Sequence, residues 1–329
     1  MKTAIVLVTS LATSTASPDW QSIVNSVNSN PLSTWTAGLP SDRDVHRAVD
    51  LAGGYVKYDG VLPQYKVFPT DNLSPVPDEY DNRLAHPYCP SINRIRDQCG
   101  CGSCFAFGSI EAFEDRICIH SKKNVTLSAE DIISCHTDEN MSCQGGNPIA
   151  VWSNIFAGSK EGDGAIQDSC YPYSIPTCPC NHHSLNSSLP SCPKEGTIST
   201  PQCDFSKKFS CEDKGIFKSQ DPTLISAVDM EREVFENGPI TVAYTVFTDF
   251  LTYKSGVYQK SENATHLGGH SVKIVGYGIS DGIKYWTVAN SWNSEWGDKG
   301  FFKIRRGVNE CNIESDAVVA GLPASTNPK

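Results

Sequence analysis

The run Gln98-Cys99-Gly100-Cys101-Gly102-Ser103-Cys104-Phe105 sets several thiols close together, and Cys104 heads a segment of apolar periodicity. Phe107, Ile110, Phe113 and Ile117 recur at spacings of three and four, which predicts a helix burying one face. A thiol in the first turn of a helix meets unpaired backbone N–H groups and the positive end of the helix dipole. These lower its pKa from about 8.5 toward roughly 3.5–7.5 when a cation is near. The chemistry expected of Cys104 is nucleophilic attack, and it requires a base. His270 follows Gly268-Gly269 at the start of a predicted strand, and Asn290-Ser291-Trp292 ends another. An imidazole facing the thiol can take its proton, while an Asn oxygen accepting from the other ring nitrogen fixes the tautomer.

These residues fall in halves of different character. From Cys89 to about residue 160 the pattern is helical, including a segment that Ser128 would cap, with Glu130 and Asp131 in its first turn. Residues 170–215 mix Cys170, Cys178, Cys180, Cys192, Cys203 and Cys211 with Pro, Ser and His without a sustained period, predicting a long disulfide-pinned loop. A short helix over 229–237 stops at Gly238-Pro239. The β-branched and aromatic runs 240–247, 271–277, 285–289 and 301–304 predict an antiparallel sheet or barrel. The expected class is α+β, with a helical lobe carrying the nucleophile and a barrel-like lobe carrying His and Asn.

The 329 residues, 39% hydrophobic and 19% charged, are ordinary for a globular chain able to bury one large core or two smaller ones. A net charge of -10 without a basic run argues against nucleic-acid binding. Lys2, the apolar run from Ala4 to Val8, and small residues at Ser14 and Ala16 predict a secretory signal over 1–16. No segment reaches the roughly 20 apolar residues of a membrane span. Fourteen cysteines fit export, and none precedes Cys89. Residues 17–75 lack cysteine and hold Pro31, Pro40, Pro63, Pro69 and Pro75, so a detachable leader before a crosslinked domain (76–329) is expected. Sequons stand at Asn72, Asn124, Asn140, Asn186 and Asn263.

The cysteine run, Cys143-Gln-Gly-Gly146, the segment from Gly268-Gly-His270 to Gly278 and the segment from Asn290-Ser-Trp292 to Gly307 together resemble the papain-like cysteine peptidases, from about Pro77 to Gly321. The resemblance implies a two-lobe fold with the active site in the cleft between helical (about 88–165) and β (about 220–322) lobes. It makes Cys104 the nucleophile, His270 the general base and acid, and Asn290 the orienting residue. Gln98 and the Cys104 backbone N–H would form the oxyanion hole. Trp292 would shield the His270–Asn290 bond, and Gly145, Gly146 and Gly269 would line the substrate cleft. The gap between Cys104 and His270 exceeds the roughly 130–150 residues usual for the family, which implies an insertion.

Within it, Cys180-Asn-His-His183 is similar to the occluding loop of the cathepsin B branch. That branch implies that His182 and His183 hold a substrate's terminal carboxylate, that His182 pairs with Asp97, and that Asp316 lies at the floor of the S2 pocket. Leu189 stands near where the branch has an arginine to pair with the acid at Glu295, so a looser loop and more endopeptidase cleavage are expected. The implied disulfides are Cys101–Cys143, Cys89–Cys118, and Cys192 with Cys180 or Cys178. Cys135, Cys170, Cys203 and Cys211 would pair among themselves, leaving Cys99 and Cys311 as candidate thiols. Cys99 stands where the family has Gly, and Phe105 where it has Trp. Thr34-Trp-Thr-Ala-Gly38 and Leu51-Ala-Gly-Gly-Tyr55 are similar to the short propeptide of the branch, removed near Asn72 to Val76 on acidification.

The function expected is that of a monomeric cysteine peptidase zymogen of the secretory pathway, in an acidic vacuole or outside the cell. It would need no cofactor or metal, and its partners would be polypeptide substrates, its own propeptide and protein inhibitors. The alternatives are a catalytically silent binding homologue, or a metal or redox module built on Cys99, Cys101, Cys104 and the His pair.

Overall fold

The computed structural model describes residues 18–68, 74–136, 141–158, 164–175 and 199–325. The predicted signal, Cys178, Cys180, His182, His183, Leu189, Cys192 and the sequons at Asn72, Asn140 and Asn186 lie outside them. The N-terminal segment contributes α1 (Trp20–Ser29), β1 (Trp35–Ala37), α2 (Asp42–His46) and α3 (Ala48–Ala52). After β2 (Tyr80–Asp81) and α4 (Asn82–Ala85) come the helices α5 (Cys104–Ser121), α6 (Ala129–Cys135), α7 (Pro148–Ala150, continued by a π-helical turn over Val151–Phe156) and α8 (Phe205–Glu212). The rest is β3 (Ser219–Leu224), α9 (Met230–Asn237), β4 (Ile240–Phe247), β5 (Tyr253–Tyr258), β6 (His266–Ser280), β7 (Ile283–Ala289), β8 (Phe301–Arg305) and β9 (Asp316–Pro323).

The strands order as β1-β5-β8-β7-β6-β4-β9-β3, with β2 also on β6, and every pair is antiparallel except β5–β8. Two large cores correspond to the two expected lobes. One gathers Phe107, Ile110, Phe113, Trp152 and Phe156 around α5, and the other Tyr244, Phe250, Trp286, Trp296 and Phe302 among the strands. Cys89–Cys118 and Cys101–Cys143 are bonded as expected. Cys135–Cys203 and Cys170–Cys211 supply the pairing that the sequence left open.

Three departures have local causes. The helix after Cys104 buries more than one face: Cys104 to Cys118 are buried all round, because α5 packs on β6 and β9 as well as on α6 and α7. The region 170–215 is not all loop, since Asp204 caps α8 by accepting from the Lys207 N–H, and the helix buries Lys208 and Cys211. His270 lies inside β6 rather than at its start, opposite Tyr244 of β4.

Complete burial of α5 forces its charged residues to find partners. Asp115 and Lys273 of β6 form an ion pair at 2.7 Å with both side chains fully buried. Glu114 is held by Arg94 and by Arg96. Glu111 has a buried oxygen without a hydrogen-bond partner, and burial raises its pKa to about 7 against the pull of Lys273 and Arg96. The unfolded carboxyl titrates near about 4.3. Between that value and about 7 only the folded state holds the proton, so this residue makes stability fall as pH rises through the window. Glu111→Gln should therefore raise unfolding stability by about 1–3 kcal/mol more at pH 8 than at pH 5, measured in urea. A gain equal at both pH values would exclude Glu111 as the titrating group.

Candidate active site

Cys104 occupies the first position of α5 and is completely buried. Backbone N–H groups of Ser271, Phe105 and Cys104 itself point at its sulfur, which puts the thiol against the residue that follows His270. The His270 ring is fixed from its far side. Its Nε2 lies 2.7 Å from Asn290 Oδ1, and the Ser291 N–H donates to the same oxygen at 2.8 Å. That second bond identifies Oδ1 as an acceptor, so Nε2 carries the proton and Nδ1 of the neutral ring is left basic. Nδ1 is buried and makes no hydrogen bond. The Trp292 ring packs 4.8 Å from the imidazole and is itself fully buried.

Gln98 is equally enclosed. Its Oε1 accepts from the Ser291 hydroxyl at 2.8 Å and its Nε2 donates to Cys101 O at 3.0 Å, leaving a second N–H on Nε2 for a developing oxyanion. The Gln98 backbone is clamped too, with its N–H donating to Ser291 O at 2.9 Å and its carbonyl accepting from the Tyr173 hydroxyl at 2.8 Å. Ser291 and Tyr173 thus hold the loop, and sequence reasoning gave neither a role. Ser291 was legible in principle, since it adjoins Asn290; Tyr173 reaches the loop only through tertiary folding. Cys99 sits at φ 56 in that loop, with its N–H on Asp97 Oδ1 at 2.8 Å. The residue type that favours this left-handed conformation is glycine.

The N-terminal segment fills the cleft. Gly54 lies over the thiol so closely that a Cβ at this position would stand 2.6 Å from the Cys104 sulfur. On one side Tyr55 N–H donates to Gly269 O at 3.0 Å; on the other, Gly146 N–H donates to Gly54 O at 3.0 Å and Val56 N–H to Gly146 O at 2.8 Å. Gly145 has φ +120, a conformation suited to glycine, and faces Val56. Gly145, Gly146 and Gly269 therefore flank the N-terminal segment, with Tyr55 paired in parallel to Gly146. Asp316, the first residue of β9, is half-buried in a cavity of about 580 Å³ with Tyr55 and Lys57 on its wall. Burial raises the Asp316 pKa while Lys57 lowers it. Burial, then the Asp316 charge, push the Tyr55 hydroxyl up to about 12. Asp97 meets Arg43 of α2 at 3.3 Å, while its expected partner His182 lies outside the described residues. Glu295 is exposed.

The sequence model of the papain family cysteine protease matches residues 76–321. Cathepsin B-like cysteine proteinase 5 of Caenorhabditis elegans is 40% identical over 328 residues, covering 92% of this chain and 90% of its own. Cathepsin B-like cysteine proteinase 6 of the same organism is 43% identical over 261 residues, 75% of this chain and 67% of its own. This chain belongs to the papain family of cysteine proteases. Among solved structures, procathepsin B S9 from Trypanosoma congolense superposes with a TM-score of 0.73 at 28% identity, covering 92% of this chain and 96% of that one. The protein is a cathepsin B-like cysteine peptidase in zymogen form.

The zymogen corrects the expectation of a low thiol pKa. Burial pushes the Cys104 thiol up to about 12 against the three amides that favour the thiolate. Burial likewise drives His270 down to about 4, opposed by the Asn290 bond. The backbone amides favour the thiolate, yet desolvation outweighs them, and the pair stands neutral. The metal or redox alternative loses Cys101 to a disulfide, and its His pair lies outside the described residues. A side chain at residue 54 cannot coexist with the thiol beneath it. Gly54→Val should give a zymogen whose Cys104 is alkylated by iodoacetamide at pH 7 at least about tenfold faster than wild type, read by mass spectrometry. An unchanged rate would mean that Gly54 does not seal the site.

Proposed function

We propose that this protease hydrolyses peptide bonds through Cys104, His270 and Asn290, and that it combines internal cleavage with release of C-terminal dipeptides. The observation that carries the reading is the His270 ring, locked by Asn290 on Nε2 with a basic Nδ1 left unengaged beside a helix-borne thiol. Once the N-terminal segment leaves, Nδ1 takes the thiol proton and the sulfur attacks the scissile carbonyl carbon. The oxygen gathers negative charge against Gln98 Nε2–H and the Cys104 N–H. The imidazolium then protonates the departing amine, and the remaining acyl-enzyme is hydrolysed by a water that gives its proton back to His270. Trp292 keeps water from the His270–Asn290 bond, and Gly145, Gly146 and Gly269 take the extended substrate on its backbone.

Residues 17–75 are the propeptide of this reading, behind a signal at 1–16, and 76–329 the peptidase. Export fits the disulfides, and Asn124 and Asn263 are exposed sequons. Among the described residues no helix is long and apolar enough to cross a membrane. Dipeptide release rests on the resemblance of the His182–His183 loop to that of the cathepsin B branch, with Leu189 weakening its latch. Asp316, facing Tyr55 across the cavity, is the acidic group that selects a basic side chain at the second substrate position.

After removal of the propeptide at mildly acidic pH, internally quenched peptides with free and with blocked C-termini should both be cleaved, the free ones faster. A Cys104→Ala control should be inactive. Activity equal to that control would end the enzyme reading, and indifference to the C-terminal block would end dipeptide release. Asp316→Ala should lower kcat/KM for Arg at the second position about tenfold relative to a hydrophobic residue, since a buried charge-assisted contact is worth about 1.5–3 kcal/mol. An unchanged Arg-to-hydrophobic ratio would remove Asp316 from the pocket.

A further inference from the structure

The N-terminal segment makes a second attachment after it leaves the cleft. Lys66 N–H donates to Leu224 O at 2.8 Å, Leu224 N–H donates to Gln64 O at 3.0 Å, and Tyr65 pairs in parallel with Leu224. The recipient β3 is the terminal strand of the sheet, with β9 on its other side. Gln64–Lys66 therefore extends the sheet by strand addition. From there the Lys66 ammonium reaches α9 and lies 2.6 Å from Glu233 Oε2.

Glu233 is an unusual group to find under an edge strand. Its side chain is 1% exposed, and its other oxygen lies 2.8 Å from the fully buried Arg116. Arg116 in turn donates to the carbonyls of Pro239, Gly238 and Gly321, so its charge is supported independently of Lys66. Asn237 Nδ2 donates to Oε2 at 2.8 Å. A cavity of about 220 Å³ adjoins the pair, with Asp221, Gln220 and Thr223 on its wall. The fixed carboxylate, the open cavity and the strand edge form one recognition surface. It is joined to the cleft by the larger cavity that runs from Asp316 past Leu224 to Tyr65.

We propose that the β3 edge and Glu233 form a second peptide-binding site on the peptidase domain, which takes an extended, basic segment of a polypeptide substrate. The inference rests on residues 17–75 being a removable propeptide, whose Gln64–Lys66 occupies the site in the zymogen. When that segment leaves, the Leu224 N–H and C=O lose their partners and Glu233 loses a cation, so an incoming strand regains all of these interactions. Backbone pairing gives affinity without sequence choice, and Glu233 adds the choice of Lys or Arg at one register.

The test uses full-length Cys104→Ala protein, folded as the zymogen and then processed near residue 75 with an added protease. A labelled peptide of residues 59–68 lacks Gly53–Tyr55 and so cannot cover residue 104; its binding is read by fluorescence anisotropy. Saturable binding is expected, weakened at least about tenfold when the peptide carries Lys66→Glu, and weakened similarly for the unaltered peptide when the protein carries Glu233→Gln. In the active enzyme, the kcat/KM ratio of a long substrate with a remote lysine to its truncated form should fall about tenfold on Glu233→Gln. Absence of saturable binding, or equal affinity of the Lys66→Glu peptide, overturns the proposal. The peptide series decides alone should Glu233→Gln fail to fold for want of its Arg116 pair. Failure of processed, active-site-intact protein to hydrolyse any peptide sinks the enzyme reading instead, because peptide binding does not depend on Cys104.

Discussion

The close seating of α5 on β6 is the constraint on which the rest of the site depends. At Gly108, four residues into α5 from the nucleophile, a Cβ would lie 3.1 Å from Val272 N and 3.2 Å from Val272 O, two residues past His270. Glycine inside a helix costs about 1 kcal/mol relative to alanine, and here it lets helix backbone rest almost directly on strand backbone. Thr241 of β4 reinforces the contact by donating to Gly108 O at 3.1 Å while accepting from Trp152 Nε1 at 2.9 Å. Farther along α5, the Asp115–Lys273 pair fixes the same two elements at a second point. Breaking one partner of such a buried pair costs about 3–5 kcal/mol, so sliding of the helix along the strand is opposed by both packing and charge. Nucleophile and base come from different lobes, and this interface gives them a fixed relation.

The zymogen exploits the same dryness that a catalytic site needs. Thiolate and imidazolium stabilise each other only if both are charged, whereas complete burial favours the neutral form of each. With the thiol pushed up to about 12 and the imidazole held down to about 4, inhibition is electrostatic as well as steric. Glycine is required where the segment crosses Cys104, and the flanking residues hold it by backbone bonds to Gly146 and Gly269. Side chains then anchor the ends of the crossing, Arg43 at Asp97 and Tyr55 toward Asp316.

The sequence revealed those features whose chemistry is local. Helix periodicity placed Cys104 at a helix start, Ser128 announced its cap, and β4 was legible at its observed limits because Ile240 to Phe247 is a run rich in β-branched and aromatic residues. Strands β1, β2, β3, β5 and β9 were missed. Ser219–Leu224 contains Pro222 and has little β propensity, and it becomes a strand only because β9 and the N-terminal segment bracket it. The same limitation applied to protonation, for helix position argues for a thiolate and cannot register the burial supplied by Gly54. Cys135–Cys203 and Cys170–Cys211 were undetermined because spacing alone allows other pairings, and α6 and α8 decide between them.

Linkage sorts the groups that can make acid favour an open cleft. Opening is promoted on acidification only by groups that bind a proton more readily once the segment has gone. Asp316 works against it, since burial in the closed cleft raises its pKa and a proton there favours closure. Glu233 works for it: burial opposes its charge, yet Arg116 and Lys66 outweigh that and hold its pKa below the ordinary carboxylate value. Loss of Lys66 raises the affinity of Glu233 for a proton. His270 stands apart from both: burial holds its imidazole down to about 4 in the closed state, and on opening it regains water and takes the proton of the adjacent thiol. Forming the thiolate–imidazolium pair moves the Cys104 proton to His270 and takes none from solution, so the pair is activated by the water that opening admits rather than by acidification itself.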